Sequence, residues 1–253
     1  FRLSFYSLPG YKKLKDITRR LEKDLYQFEY NERNNIDAQI VSSFKWETKQ
    51  NLKVKKLSLK SNQIIVIKGK SGVGKTTLLD NIVGLENPNK SNWEINKNNY
   101  LQKISGKKIN KEVCSLIAYC PQENVLFEGS LKENLLFSNA YNDDKEFYSL
   151  IKYFFEELDL SNIISRFSNL NKNINLSSQP FSGGELQRLC IIRTLLRNKS
   201  IEIYDEPTHY LDKATAKKVI DFIIKRSKNK ILIIATHEEY IIKKADSVID
   251  LDQ

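Results

Sequence analysis

Short apolar runs alternate with helically spaced apolar positions along most of this 253-residue chain. The runs have the length of buried strands, while the other apolar residues recur three and four positions apart, as on the buried face of a helix. Strands that alternate with helices predict an α/β fold with a mostly parallel sheet covered on both faces. After residue 60 the pattern predicts strands at 63–68, 93–95, 115–120, 201–204, 231–235 and near Val248, and helices at 75–83, 131–167, 183–196, 213–225 and just before the last strand.

The first 60 residues follow a different pattern. Apolar residues recur at helical spacing from Leu14 to Leu25 within a basic segment, and a polar stretch follows. This predicts an amphipathic helix and a linker over residues 1–37. Segments 39–46 and 53–59 are rich in β-branched and aromatic residues and predict two strands.

Charge and cysteines narrow the functional classes. Lys and Arg number 41 against 31 Asp and Glu, a net charge of +10 that would attract phosphates or an anionic membrane surface. The lysines are scattered among asparagines without a long basic run, which favours a solvated surface over a nucleic-acid site. Cys114, Cys120 and Cys190 have no metal-ligand spacing and are typical of reduced, buried thiols. The apolar runs are strand-sized, and the absence of methionine favours a segment of a longer protein.

A glycine-rich loop lies between the strand predicted at 63–68 and the helix predicted at 75–83. It fits the pattern G-x-x-x-x-G-K-[ST] at every specified position. A chance glycine-rich turn could match, but the flanking strand and helix favour a loop whose N–H groups cradle a nucleoside triphosphate. Its lysine would reach the β- and γ-phosphates and its first threonine would ligate Mg²⁺. The candidate phosphate-binding residues are Gly69, Lys70, Ser71, Gly72, Val73, Gly74, Lys75, Thr76 and Thr77.

Polar residues follow several of the predicted strands. Asp205 ends the strand at 201–204 and can hold the Mg²⁺ shell, usually through water. Glu206 comes next and can orient or deprotonate an attacking water. His237 and Gln122 also follow strands, where ligands gather in open α/β sheets. A lone histidine can instead be structural, but this position favours contact with a γ-phosphate.

A second anion site is predicted where the helix at 183–196 begins. Ser182, Gly183 and Gly184 open this helix, and the N–H groups of a helix start attract anions. Ser182 with Glu185 three residues on also fits a capping box, and both interpretations can hold together. One chain would need two nucleotides to use this site and the phosphate loop, or two chains would share them.

These motifs together resemble the ATP-binding cassette (ABC) family, in order from about residue 38 to the end. The resemblance implies an ABC-type phosphate-loop ATPase core with a mostly parallel sheet, an N-terminal antiparallel β subdomain and a helical signature subdomain at about 123–195. Residues 1–37 would be a basic helix and linker from a membrane domain, and 38–253 the ATPase domain. The matching motifs are Walker A in the phosphate loop, the Q-loop at Gln122, the signature at 181–185, Walker B at Asp205 with the catalytic glutamate Glu206, the D-loop at 209–212 and the switch histidine His237.

The resemblance also implies roles and partners. ATP and Mg²⁺ would be bound, with Lys75, Gln122, Glu206 and His237 in catalysis and Thr76, Gln122 and Asp205 around the metal. A second cassette would face the first head-to-tail, so that the signature residues Ser182, Gly183, Gly184 and Glu185 contact ATP in trans. Trp46 resembles the aromatic residue that stacks on adenine, and Phe44 is the competing candidate because both point to the same face of a strand.

Within the family, residues 121–134 resemble exporter cassettes, and so does the N-terminal tail. We therefore expect an ATPase domain at the cytoplasmic face of a membrane, attached to a transmembrane domain, with no nucleic acid bound. One alternative is a soluble ABC ATPase acting on nucleic acid or ribosomes, and another is a separate cassette subunit. Some positions depart from the family pattern: Phe181 and Glu185 replace the usual Leu and Gln of the signature, and His209 and Tyr210 replace small D-loop residues.

Overall fold

The computed structural model describes the backbone of residues 38–41, 46–47, 53–54, 92–97, 100–105 and 144–146, and both backbone and side chains of residues 59, 61–85, 115–136, 147–167, 170–175 and 180–252. The expected N-terminal helix and linker, Phe44 and Cys114 lie outside these residues. So do the side chains of the strand that contains Trp46.

The secondary-structure elements follow one another in the alternating order that the apolar pattern predicts. The strands are β1 (Ala38–Val41), β2 (Trp46–Glu47), β3 (Lys53–Val54), β4 (Gln63–Lys68), β5 (Asn92–Lys97), β6 (Tyr100–Ser105), β7 (Ile117–Cys120), β8 (Ile201–Asp205), β9 (Ile231–Thr236) and β10 (Ser247–Asp250). The helices are α1 (Lys75–Val83), α2 (Leu131–Leu136), α3 (Asp144–Glu157), α4 (Ser161–Arg166), α5 (Gly183–Leu196), α6 (Lys213–Arg226) and α7 (Glu239–Ile242).

A five-stranded parallel sheet with strand order β10-β4-β9-β8-β7 carries the main core. Every residue of β8 and β9 is buried. Burial on both faces explains why β9 is a nearly continuous apolar run rather than an alternating pattern. Helix α1 packs its apolar residues, including Leu78, Leu79 and Ile82, into the cluster that contains Ile203 and Ile233. The parallel sheet predicted from the sequence is confirmed.

Antiparallel strands form two smaller sheets, β1-β5-β6 and β2-β3. The prediction of one strand over 39–46 was wrong, because β1 and β2 join different sheets. Strand β6 was missed, since its apolar residues neither alternate nor form a continuous run and only pairing with β5 reveals it. The division of 39–46 and the existence of β6 both depend on pairing between distant segments, which apolar patterning along the chain does not reveal.

The described residues fall into two compact units. One contains the parallel sheet, α1, α7 and the antiparallel strands, and the other contains the described residues of 123–198 and 207–226. Helices α2, α3 and α4 occupy the region that the sequence predicted as helical over 131–167, and α3 ends before Asp159, whose φ is 52°. No helix in the described part of the chain has both the length and the apolarity needed to cross a bilayer.

Aromatic residues of the second unit pack as expected for a core. Phe147, Phe154 and Phe155 are fully buried, whereas Tyr148 is 36% exposed. Phe154 makes an edge contact with Phe222 of α6 at 5.7 Å between ring centroids. The three phenylalanines therefore belong to the core of this unit, and Tyr148 does not.

Candidate active site

The phosphate loop joins the carboxyl end of β4 to the start of α1. Gly72 and Gly74 have φ angles of 81° and 107°, in the left-handed region that other residues rarely adopt. Gly74 is the N-cap of α1 and offers no capping side chain to the first N–H groups of the helix. These N–H groups and the positive end of the helix dipole can therefore hold an anion.

The loop is fastened to the end of the parallel sheet. The N–H of Lys70 donates to Oδ1 of Asp252 at 3.1 Å, and the N–H of Leu251 donates to the carbonyl of Lys68 at 2.9 Å. Sequence reasoning missed Asp252, because the contact arises from the pairing of β4 with β10 and no local pattern marks it.

Lys75 lies folded back over its own loop. Its ammonium donates to the carbonyls of Gly69 at 2.7 Å and Lys70 at 3.2 Å, and it lies 3.1 Å from Oε1 of Glu206. The residue is only 6% exposed. The positive charge is thus held inside the loop, where a phosphate group would be cradled.

Asp205 and Thr76 meet at the carboxyl end of β8. The hydroxyl of Thr76 donates to Oδ2 of Asp205 at 2.6 Å, while Oδ1 has no hydrogen-bond partner within the described residues although it is fully buried. Burial raises the pKa of Asp205 to about 6, although the hydroxyl of Thr76 opposes the shift. A buried carboxylate oxygen without a donor, beside a hydroxyl oxygen, suits a hard cation such as Mg²⁺.

Glu206 has a strained backbone that aims its side chain. Its φ is 48°, unusual for a residue other than glycine, and its N–H donates to the carbonyl of Ala235 at 2.9 Å. Oε1 lies 3.1 Å from Nζ of Lys75 and 3.3 Å from Nδ1 of His237. The carboxylate is nearly buried, whereas the His237 side chain is 64% exposed. Because β8 and β9 are adjacent and parallel, their carboxyl ends bring Glu206 and His237 together.

Two further residues near the Mg²⁺ candidates were missed. Asp80 lies one turn after Thr76 on α1 and is 2% exposed, and it accepts a hydrogen bond from the hydroxyl of Tyr119 at 3.2 Å. Burial and the nearby carboxylates, Asp80 foremost, raise the pKa of Tyr119. An acidic residue on the apolar face of α1 was the signal that could have identified Asp80.

The start of α5 is a complete capping box. Oγ of Ser182 accepts from the N–H of Glu185 at 3.2 Å, and Oε2 of Glu185 accepts from the N–H of Ser182 at 2.9 Å. The sequence predicted this box. The remaining early N–H groups belong to Gly183 and Gly184, the positions at which the sequence predicted an anion site.

The D-loop packs against these glycines. A Cβ on Gly184 would lie 3.1 Å from the carbonyl oxygen of Tyr210 and 3.3 Å from Cδ2 of Leu211. A Cβ on Gly183 would lie 3.3 Å from the Tyr210 ring, which is itself stacked edge-on by His209 at 4.7 Å. Tyr210 is 55% exposed. Tyr210, with His209 against its ring, therefore lies beside Gly183 and Gly184 of the signature segment.

The other predicted site residues are less closely defined. Gln122 is exposed, two residues beyond β7, and β7 pairs with the strand that carries Asp205. Trp46 begins β2. The proposed contacts of Gln122 with Mg²⁺ and of Trp46 with adenine stay predictions.

The family comparison agrees with this geometry. The profile of the family described as ABC transporter matches residues 52–209. The chain belongs to the ABC transporter family. The ATP-binding domains of this family bind and hydrolyse ATP, and the chain is such a domain.

Relatives of this ABC ATPase domain carry export names. A putative export ATP-binding/permease protein of Rickettsia typhi is 31% identical over 83% of this chain and 36% of the relative. The glutathione/L-cysteine transport system ATP-binding/permease protein CydC of Haemophilus influenzae is 29% identical over 91% of the chain and 40% of the relative. The chain thus spans about two fifths of the length of these two relatives. These names favour a transporter over the alternative of a protein acting on nucleic acid.

A solved structure supports the fold. The bacterial Atm1-family ABC exporter with ATP bound matches with a TM-score of 0.67 and 20% identity, over 86% of this chain and 38% of that chain. The predicted ABC-type ATPase fold is therefore confirmed.

Proposed function

We propose that this ABC ATPase domain powers export through an attached transmembrane domain, and that two cassettes close on ATP during each cycle. One observation carries the proposal: Lys75, Thr76, Asp205, Glu206 and His237 converge at the carboxyl end of one parallel sheet. This set combines an anion-binding loop, a cation site and a carboxylate that can orient and deprotonate water.

ATP binding begins with an exchange at Lys75. Its ammonium leaves the carbonyls of Gly69 and Lys70 and the carboxylate of Glu206 for oxygens of the β- and γ-phosphates. N–H groups of the loop take the remaining phosphate oxygens, because the N-cap of α1 does not occupy them with a side chain. Trp46 would stack on the adenine ring.

Thr76 and Asp205 would hold Mg²⁺, and Gln122, which follows the edge strand β7, would be a further ligand. When bound, the ion neutralises charge on the β- and γ-phosphates. Within the described residues no group of three His, Cys, Asp or Glu side chains could hold a metal alone. Phosphate oxygens and water would therefore complete the shell.

Hydrolysis then depends on Glu206 and His237. Once Lys75 has moved to the phosphates, Glu206 is left to orient and deprotonate the attacking water. His237 is exposed and contacts the same carboxylate, so its ring can reach a γ-phosphate that lies in front of Glu206. Lys75 stabilises the charge that develops on the transferred phosphoryl group.

A second cassette would complete the site. The N–H groups of Gly183 and Gly184, with Ser182, would contact the triphosphate held by the other copy, and Glu185 would support them through the capping box. Residues 1–37 would lead from the transmembrane domain to the ATPase domain at 38–253, with a helical subdomain at about 123–195. The domain would then work at the cytoplasmic face of a membrane.

The test compares the parent chain with Glu206→Gln. Phosphate release and the mass in solution with MgATP are measured, the latter by light scattering. We expect the variant to lose turnover and to accumulate a species of twice 29.5 kDa. Glu156→Gln, on the exposed side of α3, is the matched control and should behave as the parent. Undiminished turnover in Glu206→Gln would remove Glu206 from the role, and a monomer at saturating ATP would reject the shared site.

A further inference from the structure

Arg166, at the end of α4, contacts the signature segment at three places. Its Nη1 donates to the carbonyl of Pro180 at 2.9 Å, and its Nη2 donates to Oε1 of Glu185 at 2.8 Å. Its guanidinium also lies 5.8 Å from the ring centroid of Phe181. One side chain therefore contacts two residues before the start of α5 and one residue in its first turn.

Phe181 and Glu185, the two residues that depart from the family signature, both contact residues in or directly after α4. Phe181 stacks on Phe167 with ring centroids 5.1 Å apart and ring planes 12° from parallel. Glu185 receives hydrogen bonds from Arg166 and from Nδ2 of Asn162, the latter at 3.1 Å. Residues of α4 and the residue directly after it thus contact both unusual residues of the signature.

Glu185 poses an electrostatic problem for an anion site. Burial raises the pKa of Glu185, but the N–H of Ser182 and the side chains of Arg166 and Asn162 outweigh burial and lower it overall. The group is therefore ionised at neutral pH and only 11% exposed as a side chain. A carboxylate in the first turn of α5 would repel a triphosphate that approaches the same N–H groups.

We propose that Arg166 is a positioning residue of the signature half-site, which it serves by neutralising Glu185 and by fixing the backbone at Pro180. With the charge of Glu185 compensated, the N–H groups of Gly183 and Gly184 face the triphosphate of a second copy without local repulsion. The inference rests on the proposed function, in which the signature contacts ATP in trans.

The test measures phosphate release against ATP concentration for the full chain, with thermal unfolding alongside. Arg166→Ala should raise KM for ATP about fivefold or more, with a much smaller change in kcat, because uncompensated repulsion opposes closure on ATP. Arg166→Lys should raise KM less than Arg166→Ala does, since lysine keeps the positive charge but lacks the planar guanidinium group. The double variant R166A/E185Q should recover most of the loss in KM, since the repelling charge is gone.

Lys218→Ala is the matched control. It removes a similarly exposed cation from an ion pair with Asp159, at 2.7 Å, away from α5. We expect its KM to match the parent. A KM in Arg166→Ala equal to the parent's would overturn the inference, and so would a double variant no better than Arg166→Ala, which would indicate a purely structural role. If the parent chain shows turnover, either result rejects this inference alone, whereas absent turnover in the parent rejects the proposed function and this inference with it.

Discussion

Nζ of Lys75 lies 3.1 Å from Oε1 of Glu206, and the two side chains are 7% and 8% exposed. Lys75, which is expected to bind phosphate, and Glu206, which is expected to orient and deprotonate water, are thus paired with each other in the absence of ATP. In the proposed cycle each ATP would replace this contact, and its phosphates would approach a carboxylate. The pair would then couple nucleotide binding to the release of Glu206.

The first prediction concerns ATP affinity. Glu206→Gln removes the negative charge beside Lys75, so the phosphates gain the lysine without competing against a carboxylate. We expect ATP to bind about three- to tenfold more tightly, measured by equilibrium titration without Mg²⁺. Glu239→Gln is the control, because Glu239 is an exposed acid 3.8 Å from Lys68 and its loss should change affinity little. Weaker ATP binding by Glu206→Gln would show that the carboxylate supports the loop instead of competing for its lysine.

The second prediction separates folding from catalysis at Asp205. The carboxylate is fully buried, and Oδ1 has no donor within the described residues. Asp205→Asn removes a buried charge, so we expect the nucleotide-free protein to gain about 1–3 kcal/mol of stability at neutral pH. MgATP turnover should fall at least about a hundredfold, because the proposed cation site would lose its charged ligand. Denaturant unfolding and phosphate release measure the two effects. A variant that is both less stable and fully active would contradict this account of Asp205.

The third prediction compares two adjacent glycines. An added Cβ at Gly184 meets the backbone carbonyl of Tyr210, whereas an added Cβ at Gly183 meets only the side chain of Tyr210. Gly184→Ala should therefore displace the D-loop or α5 and abolish ATP-dependent dimerisation, while Gly183→Ala keeps part of it. Light scattering over an ATP titration distinguishes them. Equal dimerisation of the two variants would mean that the Tyr210 backbone does not fix the position of Gly183 and Gly184.

The sequence predicted those parts of the molecule that local patterns encode. Strands β4 and β9 contain continuous apolar runs, and the residues of the phosphate loop stand together in one motif, so both could be predicted directly. Arg166 and Asp252 act on segments that are distant along the chain, at Glu185 and Lys70, and nothing beside them marks that role. The division of 39–46 between two sheets was missed for the same reason, since pairing partners decide it.

The last prediction concerns Glu202, a charged residue near the start of β8, the strand that ends at Asp205. It is fully buried and accepts hydrogen bonds from Lys230 at 2.5 Å, Ser227 at 2.8 Å and the hydroxyl of Tyr204 at 3.1 Å. Lys230→Met leaves this carboxylate buried without its cation, and we expect a loss of about 3–5 kcal/mol in unfolding free energy.

Replacing both partners tests whether the charge or the packing matters. The double variant E202L/K230M should recover most of the stability, because apolar residues of similar size suit a fully buried strand. Lys218→Met breaks an exposed ion pair and should stay within about 0.5 kcal/mol of the parent. Urea unfolding gives all three values. If Lys230→Met were as stable as Lys218→Met, the ion pair between Lys230 and Glu202 would contribute nothing to stability. The position of Asp205 and Glu206 would then depend only on the pairing of β8 with its neighbouring strands.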